Sequence, residues 1–223
     1  MKGKISEIFE SIQGEGIYFG EWQLFVRFYG CNLNCKFCDT RLERFREYKV
    51  EELLDEIKRF KGKYHSVSFT GGEPLLQKVF LKEILSRTRG AGFKNYLETN
   101  GTLPEPLREV IDTVDIVAMD IKLPSSTGAG VFWDAHRSFL TLASKKDNFI
   151  KIVICSSTIE EDLKTAVRLI KEVNKNTTLV LQPDSSEGYA RVRKKIEKFR
   201  QLCRHDGLNV RMIPQMHKLM GMK

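Results

Sequence analysis

Seven short runs of apolar, β-branched or aromatic residues recur along the 223-residue chain, and amphipathic helical patterns separate most of them. Such alternation is typical of an α/β fold, in which parallel strands form a sheet and helices cover its outer face. A complete eight-unit barrel takes about 250 residues, so seven strands in a shorter chain predict an incomplete, open TIM-like barrel. The predicted strands are residues 24–29, 66–70, 94–99, 115–119, 149–154, 178–181 and 208–213, and the predicted helices are 50–60, 75–89, 159–173 and 189–203.

The alternation runs without a linker rich in Pro, Gly or Ser, so we expect one domain spanning residues 1–223. Two segments lie outside the regular pattern. The segment from Gly3 to Ile12 precedes the first unit and is expected to add an irregular strand or a lid. The segment from Leu123 to Gly130 is rich in Ser and Gly, which predicts either a flexible loop over the site or an ordinary surface connection.

Composition and apolar patterning are those of a water-soluble globular protein. Apolar residues make up 41% and charged residues 30% of the sequence, a balance typical of globular domains. The N-terminal segment is too polar for the core of a signal peptide, and the sequence has no apolar run of membrane-spanning length. We therefore expect a cytoplasmic protein that does not enter a membrane.

The net charge of +8 raises the question of an acidic partner. Basic residues are spread along the chain and mixed with Glu and Asp, and the densest stretch, 191–200, has the apolar spacing of a helix. That pattern favours a solvated helix face. The alternative is a surface that docks an acidic electron-donor protein or RNA.

Polar segments follow the predicted strands at the point where each strand ends. The carboxyl ends of parallel strands share one edge of a sheet, and ligands bind at that edge. We therefore expect segments that are far apart in sequence to form one site. They are Cys31–Cys38, Gly71–Pro74, Glu98–Gly101, Asp120–Lys122, Cys155–Ser157, Gln182–Ser186 and Pro214–His217.

Three of the five cysteines, Cys31, Cys35 and Cys38, lie within eight residues. A secreted disulfide framework rarely has this arrangement, whereas neighbouring thiolates hold iron–sulfur clusters or zinc. The spacing favours an iron–sulfur cluster over zinc or three unligated thiols, and three cysteines would leave one iron of a four-iron cluster open to another ligand. Cys155 and Cys203 lie in apolar segments, and we expect both to pack in the core.

Two motifs together resemble the radical S-adenosylmethionine superfamily. One is the Cys-x3-Cys-x2-Cys loop after the first strand, with Phe37 just before its last cysteine, and the other is Gly71-Gly-Glu-Pro74 after the second strand. The resemblance implies a radical S-adenosylmethionine core with a 4Fe-4S cluster on the three cysteines. The free iron then binds the amino and carboxylate groups of S-adenosylmethionine, and glycines suit a backbone that approaches this ligand closely.

The N-terminal third and the closing segment narrow the resemblance to the 7-carboxy-7-deazaguanine synthase family. The similar segments are residues 9–16, 25–35, 38–40 and 214–218. Members convert 6-carboxy-5,6,7,8-tetrahydropterin into 7-carboxy-7-deazaguanine with loss of ammonia, on the route to queuosine. The resemblance further implies Mg2+, a reductant such as flavodoxin or ferredoxin, and a homodimer, with no membrane or direct nucleic-acid partner.

The resemblance also assigns roles to individual residues. Arg27 offers a planar fork that suits a carboxylate, while Gln and Glu side chains can read the donor and acceptor edge of a pterin. Magnesium prefers oxygen ligands, which a Thr hydroxyl supplies. The implied substrate residues are Ile12, Gln13, Gly14, Glu15, Arg27, Thr70, Glu98, Asn100 and His217; the implied cofactor residues are Phe37, Cys38, Asp39, Gly72, Asp120, Lys122 and Gln182; and Thr40 is the implied Mg2+ ligand.

No general acid or base is assigned among these residues, apart from His217 as a candidate for proton transfer. His65, His136 and His205 are expected to have surface or capping roles. One segment departs from the family pattern, because Asp120-Ile-Lys122 stands where many members have Ser-Pro-Lys. This segment is closer to that of glycyl-radical activating enzymes, so an activase that acts on a partner protein is the second hypothesis. A zinc-stabilised, basic RNA-binding module is the third.

Overall fold

The computed structural model describes residues 1–40 and 43–221, and in this part of the chain nine strands form one sheet. The seven predicted strands are confirmed to within two residues at each end, and two more lie before and after the first of them. The strands are β1 (Gly3–Ile12), β2 (Trp22–Phe28), β3 (Arg46–Tyr48), β4 (Ser66–Gly71), β5 (Asn95–Thr99), β6 (Ile116–Asp120), β7 (Asp147–Ile154), β8 (Thr178–Pro183) and β9 (Val210–Met212).

The order of the strands in the sheet is β3-β1-β2-β4-β5-β6-β7-β8-β9. From β2 through β9 each strand pairs in parallel with its neighbour, whereas β1 is antiparallel to β2 and β3 is antiparallel to β1. The sheet ends at β3 on one side and β9 on the other, so it is not closed. The prediction of an open barrel of mainly parallel strands is confirmed.

Helices connect successive strands from β3 onward, and the four predicted helices are present. Among the described residues, no helix combines the length and the apolar character needed to cross a bilayer. The helices are α1 (Val50–Arg59), α2 (Lys78–Gly90), α3 (Pro104–Val110), α4 (Pro124–Thr127), α5 (Trp133–Ala143), α6 (Glu160–Asn174), α7 (Tyr189–His205) and α8 (Met216–Leu219), with 3-10 turns at Pro74–Gln77 and Ile111–Thr113.

The two faces of β7 illustrate how the sheet separates its core from its site. Ile150, Ile152 and Ile154 are fully buried in the same apolar cluster as Leu163 and Ile170 of α6. Burying each such side chain stabilises the fold by roughly 1.5–3 kcal/mol. The intervening residues, 149, 151 and 153, line the inner cleft because successive side chains of a strand point to opposite faces.

The N-terminal segment is a regular strand rather than a lid. β1 runs antiparallel along β2 with one register shift between Ile5 and Glu7, so its carboxyl end reaches the amino end of the parallel strands. There residues 13–21 turn into the barrel, where Tyr18 lies edge-on to the ring of Tyr96 and against that of Phe149. This segment therefore forms a floor at the end of the barrel opposite the cysteines.

The segment from Leu123 to Gly130 contains a short helix with buried residues, which matches neither of its two interpretations, a flexible loop or an ordinary surface connection. Pro124 begins α4 at a position where proline is favoured, and Gly128 ends it with φ +68. Thr127 is fully buried, and its carbonyl accepts a 2.9 Å hydrogen bond from the backbone N–H of Lys36. α4 thus packs against the cysteine loop and holds it.

Candidate active site

A single cleft of about 1130 Å³ opens at the carboxyl edge of the parallel strands and extends into the barrel. It is lined by all of the predicted substrate, cofactor and metal residues except His217, whose side chain lies outside the part of the chain that the structure describes. Residues separated by up to 170 positions, Ile12 and Gln182, therefore share one site. Six of the seven polar segments expected to converge line this cleft, whereas Cys155–Ser157 does not, so the convergence expected from the ends of parallel strands is confirmed for six segments.

The cysteine loop follows β2 and is connected to neighbouring segments by hydrogen bonds. Cys31, Cys35 and Cys38 are free thiols that line the cleft. The Asn100 amide lies 3.9 Å from Cys31 Sγ and donates a 2.9 Å hydrogen bond to Asn32, which connects the loop to the end of β5. Burial raises the pKa of Cys31 and of Cys35, and the Lys122 ammonium opposes this effect on both.

The backbone of the segment after β4 is in direct contact with the backbone at the start of the cysteine loop. A Cβ atom on Gly72 would lie 2.0 Å from the carbonyl oxygen of Gly30, and one on Gly71 would lie 2.2 Å from that of Phe28. Gly71 also has φ +135, which L side chains rarely adopt. These two positions require glycine, since a side chain at either would separate the two segments.

Glu73 is fully buried behind these glycines and was not predicted as a site residue, although it belongs to the motif. Its carboxylate accepts hydrogen bonds from the backbone N–H of Leu75 (3.1 Å), the hydroxyl of Thr99 (3.0 Å) and the backbone N–H of Asn100 (2.8 Å). Burial raises the pKa of Glu73 to about 7 against the effect of these donors. The carboxylate joins the end of β4 to the end of β5.

Inside the barrel, Glu98 accepts hydrogen bonds from three side chains, two on β4 and one on the floor segment. Gln13 Nε2 donates to it at 2.8 Å, Thr70 Oγ1 at 2.7 Å and Ser68 Oγ at 3.3 Å. Gln13 Nε2 also donates to Gln23 Oε1 at 3.0 Å. The floor segment is thereby fixed to β2, β4 and β5, with the Glu98 carboxylate lining the cleft.

Arg27 lies on the same inner face of the sheet. Its Cζ is 5.4 Å from the centre of the Phe9 ring, which stacks on Phe25 at 5.1 Å, and its Nε is 3.3 Å from a carboxylate oxygen of Glu7. Arg27 Nε lacks a hydrogen bond within the described residues. A planar guanidinium positioned by an aromatic ring can receive an anionic group from the cleft.

Lys151 lies at the centre of the cleft and was not predicted. Its ammonium contacts the carboxylate of Glu15 and lies 3.3 Å from Asp120, which also pairs with Lys122 at 2.8 Å. Burial alone would raise the pKa of Glu15, but the Lys151 ammonium holds it below its usual value. Burial likewise would lower the pKa of Lys122, and the Asp120 carboxylate outweighs this effect. Two ammonium groups and two carboxylates therefore form one continuous row of ion pairs, in the order Glu15, Lys151, Asp120 and Lys122.

The closing segment contributes to the rim of the cleft through Gln215, a further residue that was not predicted as a ligand. Its amide donates to Glu15 at 2.7 Å and to Asp39 at 2.9 Å, and Asp39 pairs with Lys218 at 2.5 Å. Burial would raise the pKa of Asp39, but the hydrogen bond and charge of Lys218 lower it. Thr40 Oγ1 lies 3.4 Å from Asp39, so a hydroxyl and a carboxylate oxygen are close together.

His136 is fully buried, and the prediction of a surface or capping role for it is wrong. Its Nε2 lies 3.3 Å from the carbonyl oxygen of Asn100 and 3.5 Å from the backbone nitrogen of Lys122. Burial lowers the pKa of His136 to about 4, so the ring is neutral near pH 7. The side chain connects α5 to the ends of β5 and β6, whereas His205 is exposed as expected.

The remaining cysteines are buried, as predicted. Cys203 packs in the main apolar cluster with no exposed surface, and Cys155 is 3% exposed at the end of β7. Burial raises the pKa of each thiol to about 12, so both are protonated near pH 7. Neither thiol belongs to the group on the cysteine loop.

The cleft has features that fit a metal cluster and a polar cofactor. Three thiols lie on one loop, and Gly72 lines the cleft beside them. Gln182 Oε1 and Asp120 Oδ1 are buried, line the cleft and have no hydrogen-bond partner within the described residues. Buried polar atoms without partners are costly, so a ligand with hydroxyl or amino groups would satisfy them.

This combination of an open parallel barrel, three thiols after its first parallel strand and a glycine segment pressed against them defines the radical S-adenosylmethionine class. The sequence profile of the Radical SAM superfamily matches residues 25–181. The chain is 38% identical to the 7-carboxy-7-deazaguanine synthase of Geobacter sulfurreducens, over 98% of this chain and 97% of that protein. It is 36% identical to that of Archaeoglobus fulgidus over 100% of both chains. The chain belongs to the 7-carboxy-7-deazaguanine synthase family.

The fold agrees with this membership. The crystal structure of QueE from Escherichia coli matches with a TM-score of 0.66 and 23% identity, covering 97% of this chain and 95% of that one. A similarity at this level of identity concerns the fold alone. The full-length relatives therefore favour the synthase hypothesis over the activase and the zinc module.

Proposed function

We propose that this protein is a 7-carboxy-7-deazaguanine synthase that acts on 6-carboxy-5,6,7,8-tetrahydropterin. The observation that carries the proposal is the arrangement of two chemically different groups in one cleft. Thiols and a glycine segment lie at its carboxyl edge, while Gln13, Glu98 and Arg27 lie on its inner wall. The first group suits a 4Fe-4S cluster and S-adenosylmethionine, and the second suits a carboxylated heterocycle.

On the cofactor side, Cys31, Cys35 and Cys38 would hold the cluster, and the backbone at Gly72 would meet the amino group of S-adenosylmethionine. Asp120 and Gln182 supply unpaired oxygen atoms for its polar groups. Bound together, the cluster and S-adenosylmethionine would supply the one-electron chemistry that removes a hydrogen atom from the substrate. The residues of the chain orient the two molecules and exclude water from the cleft.

On the substrate side, a pterin ring presents N–H donors and a carbonyl acceptor on one edge. The carboxylates of Glu15 and Glu98 accept hydrogen bonds, and the Gln13 amide both donates and accepts. The Arg27 guanidinium would pair with the substrate carboxylate. Thr70 and Asn100 complete this wall, and the backbone of Ile12 and Gly14 approaches from the floor segment.

We include Mg2+ in the proposal, with Thr40 as its protein ligand. The hydroxyl of Thr40 lies beside the Asp39 carboxylate, and both line the cleft next to Cys38. Oxygen ligands of this kind suit Mg2+, which commonly keeps several waters. The substrate carboxylate would complete its coordination.

The partners follow from the same chemistry. A one-electron reaction needs a reductant, and we propose a small acidic carrier such as flavodoxin or ferredoxin. Arg191, Arg193 and Lys194 are exposed in the first turns of α7, near the carboxyl edge of the sheet, and offer a basic surface. We also propose a homodimer, a single domain over residues 1–223 and a cytoplasmic location. The five free cysteines support the cytoplasmic location, because disulfides are rare in that compartment.

The test is turnover by reconstituted enzyme. Protein loaded anaerobically with iron and sulfide is reduced with dithionite and incubated with S-adenosylmethionine, Mg2+ and 6-carboxytetrahydropterin. We expect 7-carboxy-7-deazaguanine by mass spectrometry; because the substrate equals this product plus ammonia, the reaction is redox-neutral, and 5′-deoxyadenosine marks only cleavage of S-adenosylmethionine that does not lead to turnover. If 5′-deoxyadenosine forms without the deazapurine, the substrate assignment is wrong, and the activase hypothesis gains support.

Arg27 gives a sharper form of this test. The variant Arg27→Ala removes the proposed partner of the substrate carboxylate, and hydrogen bonds to charged groups contribute about 1.5–3 kcal/mol. We expect the KM for the pterin to rise about 10- to 100-fold, because each 1.4 kcal/mol changes an affinity tenfold. Iron content should be unchanged. The control is Arg59→Ala on α1, whose side chain is 75% exposed; equal losses in cluster assembly and KM would contradict the role of Arg27.

A further inference from the structure

Lys151 occupies a position where a strand of this kind would ordinarily carry an apolar residue. Its side chain faces the cleft between those of Phe149 and Val153 on β7. The other residues of the stretch 149–154 are all apolar. Its side chain is 19% exposed. A lysine held inside a barrel loses most of its hydration, which is unfavourable unless charged partners replace it.

The partners of Lys151 come from opposite sides of the cleft. Glu15 belongs to the floor segment, 136 residues away in sequence, and is 20% exposed. Asp120 ends β6, which is the strand next to β7, and pairs with Lys122, whose ammonium lies 5.2 Å above the Phe37 ring beside Cys38. The ammonium therefore joins the wall that faces the proposed pterin to the segment that faces the proposed cofactor.

We propose that Lys151 is a positioning residue, whose ammonium keeps Glu15 and Asp120 at a fixed separation so that pterin and S-adenosylmethionine meet with their reacting atoms aligned. This inference rests on the proposed function. Transfer of a hydrogen atom depends steeply on the distance between the reacting atoms, and a displacement of about 1 Å can lower a rate about 100-fold. Without the ammonium, Glu15 and Asp120 would repel each other and separate.

If Lys151 positions the two molecules, its replacement should impair pterin binding and turnover without reducing the iron content. The variant Lys151→Met keeps most of the length of the side chain and removes its charge, while Lys151→Arg keeps the charge. Lys164→Met is the control, because Lys164 forms an ordinary ion pair with Glu160 on the exposed face of α6. Iron content should be the same in wild type and all three variants.

Two measurements distinguish positioning from a structural role. The first is equilibrium binding of 6-carboxypterin, an unreactive and fluorescent pterin, to protein without S-adenosylmethionine. The second is the ratio of deazapurine to 5′-deoxyadenosine during turnover, together with KM and kcat. We expect Lys151→Met to bind 6-carboxypterin at least tenfold more weakly and to lower the product ratio at least tenfold. Lys151→Arg should recover most of both values, and the control should match wild type.

The outcomes separate this inference from the proposed function. Wild type that makes no deazapurine overturns both. The inference alone is overturned if wild type makes the deazapurine normally and Lys151→Met has a pterin affinity and a product ratio within twofold of the wild-type values. Equal losses in Lys151→Met and Lys151→Arg, accompanied by an equal fall in unfolding free energy, would also overturn it, because the side chain would then support the fold only.

Discussion

Substitution of Gly72 by alanine tests the closest backbone contact in the site. The added Cβ would lie 2.0 Å from the carbonyl oxygen of Gly30, whereas ordinary contact begins at about 3.4 Å, so the two segments must separate by about 1.4 Å. Such overpacking costs about 1–3 kcal/mol. The movement also breaks the 2.8 Å hydrogen bond from the Glu73 N–H to Gly30, which contributes about 1 kcal/mol. We expect Gly72→Ala to lower the unfolding free energy by about 2–4 kcal/mol.

The assay is urea denaturation of the metal-free protein, followed by circular dichroism. In the reconstituted enzyme, the displaced segment should also slow S-adenosylmethionine cleavage about 100-fold. Gly90→Ala at the end of α2 is the matched control, because a Cβ there meets no atom within 4 Å. A glycine replaced at such a site changes stability by about 0.4–1 kcal/mol, in the stabilising direction. Equal urea midpoints for the two variants would refute the steric reasoning.

Two further predictions concern buried groups at and beyond the site. The pKa of Glu73 is raised from 4.5 to about 7, so the folded state binds this proton more tightly than the unfolded state, and the associated stability is present below pH 4.5 and lost as the pH rises through 7. The difference in unfolding free energy between wild type and Glu73→Gln should therefore fall by about 3 kcal/mol over this range. A difference independent of pH would contradict the shift. Cys38→Ser should bind less iron than wild type on reconstitution, as measured by ferrozine. Cys203→Ser should bind as much iron as wild type, and its unfolding free energy should fall by about 1–3 kcal/mol because the new hydroxyl is buried without a partner. Loss of iron in Cys203→Ser would contradict the assignment of the two thiols.

The parts of the site that were predictable share one physical cause. Cys31, Gly72 and Gln182 each follow a run that reads locally as a strand, and parallel pairing brings the carboxyl ends of all such strands to one edge. Local patterns were therefore sufficient to place distant residues together. The same argument explains why the strand boundaries were correct to within two residues, since each strand was bounded by polar segments.

The residues that sequence reasoning missed depend on pairings that no local pattern contains. Lys151 and Glu15 are 136 residues apart, and Gln215 and Glu15 are 200 apart. The apolar run around Lys151 indicates a strand but not which side faces the cleft. His136 has the spacing of an ordinary helix residue, and only the packing of α5 against the end of β5 removes it from solvent.

The floor segment shows how the family-specific and the shared parts of the site are separated in space. Gly16 has φ +68, and a Cβ there would lie 2.2 Å from the Phe149 ring, so the turn fits into the barrel only without a side chain. Tyr18 anchors it against Tyr96 and Phe149 at the amino end of the sheet. Under the proposed function, the superfamily chemistry occupies the loops at the carboxyl edge, while Glu15 reads the substrate from a segment inserted at the opposite end.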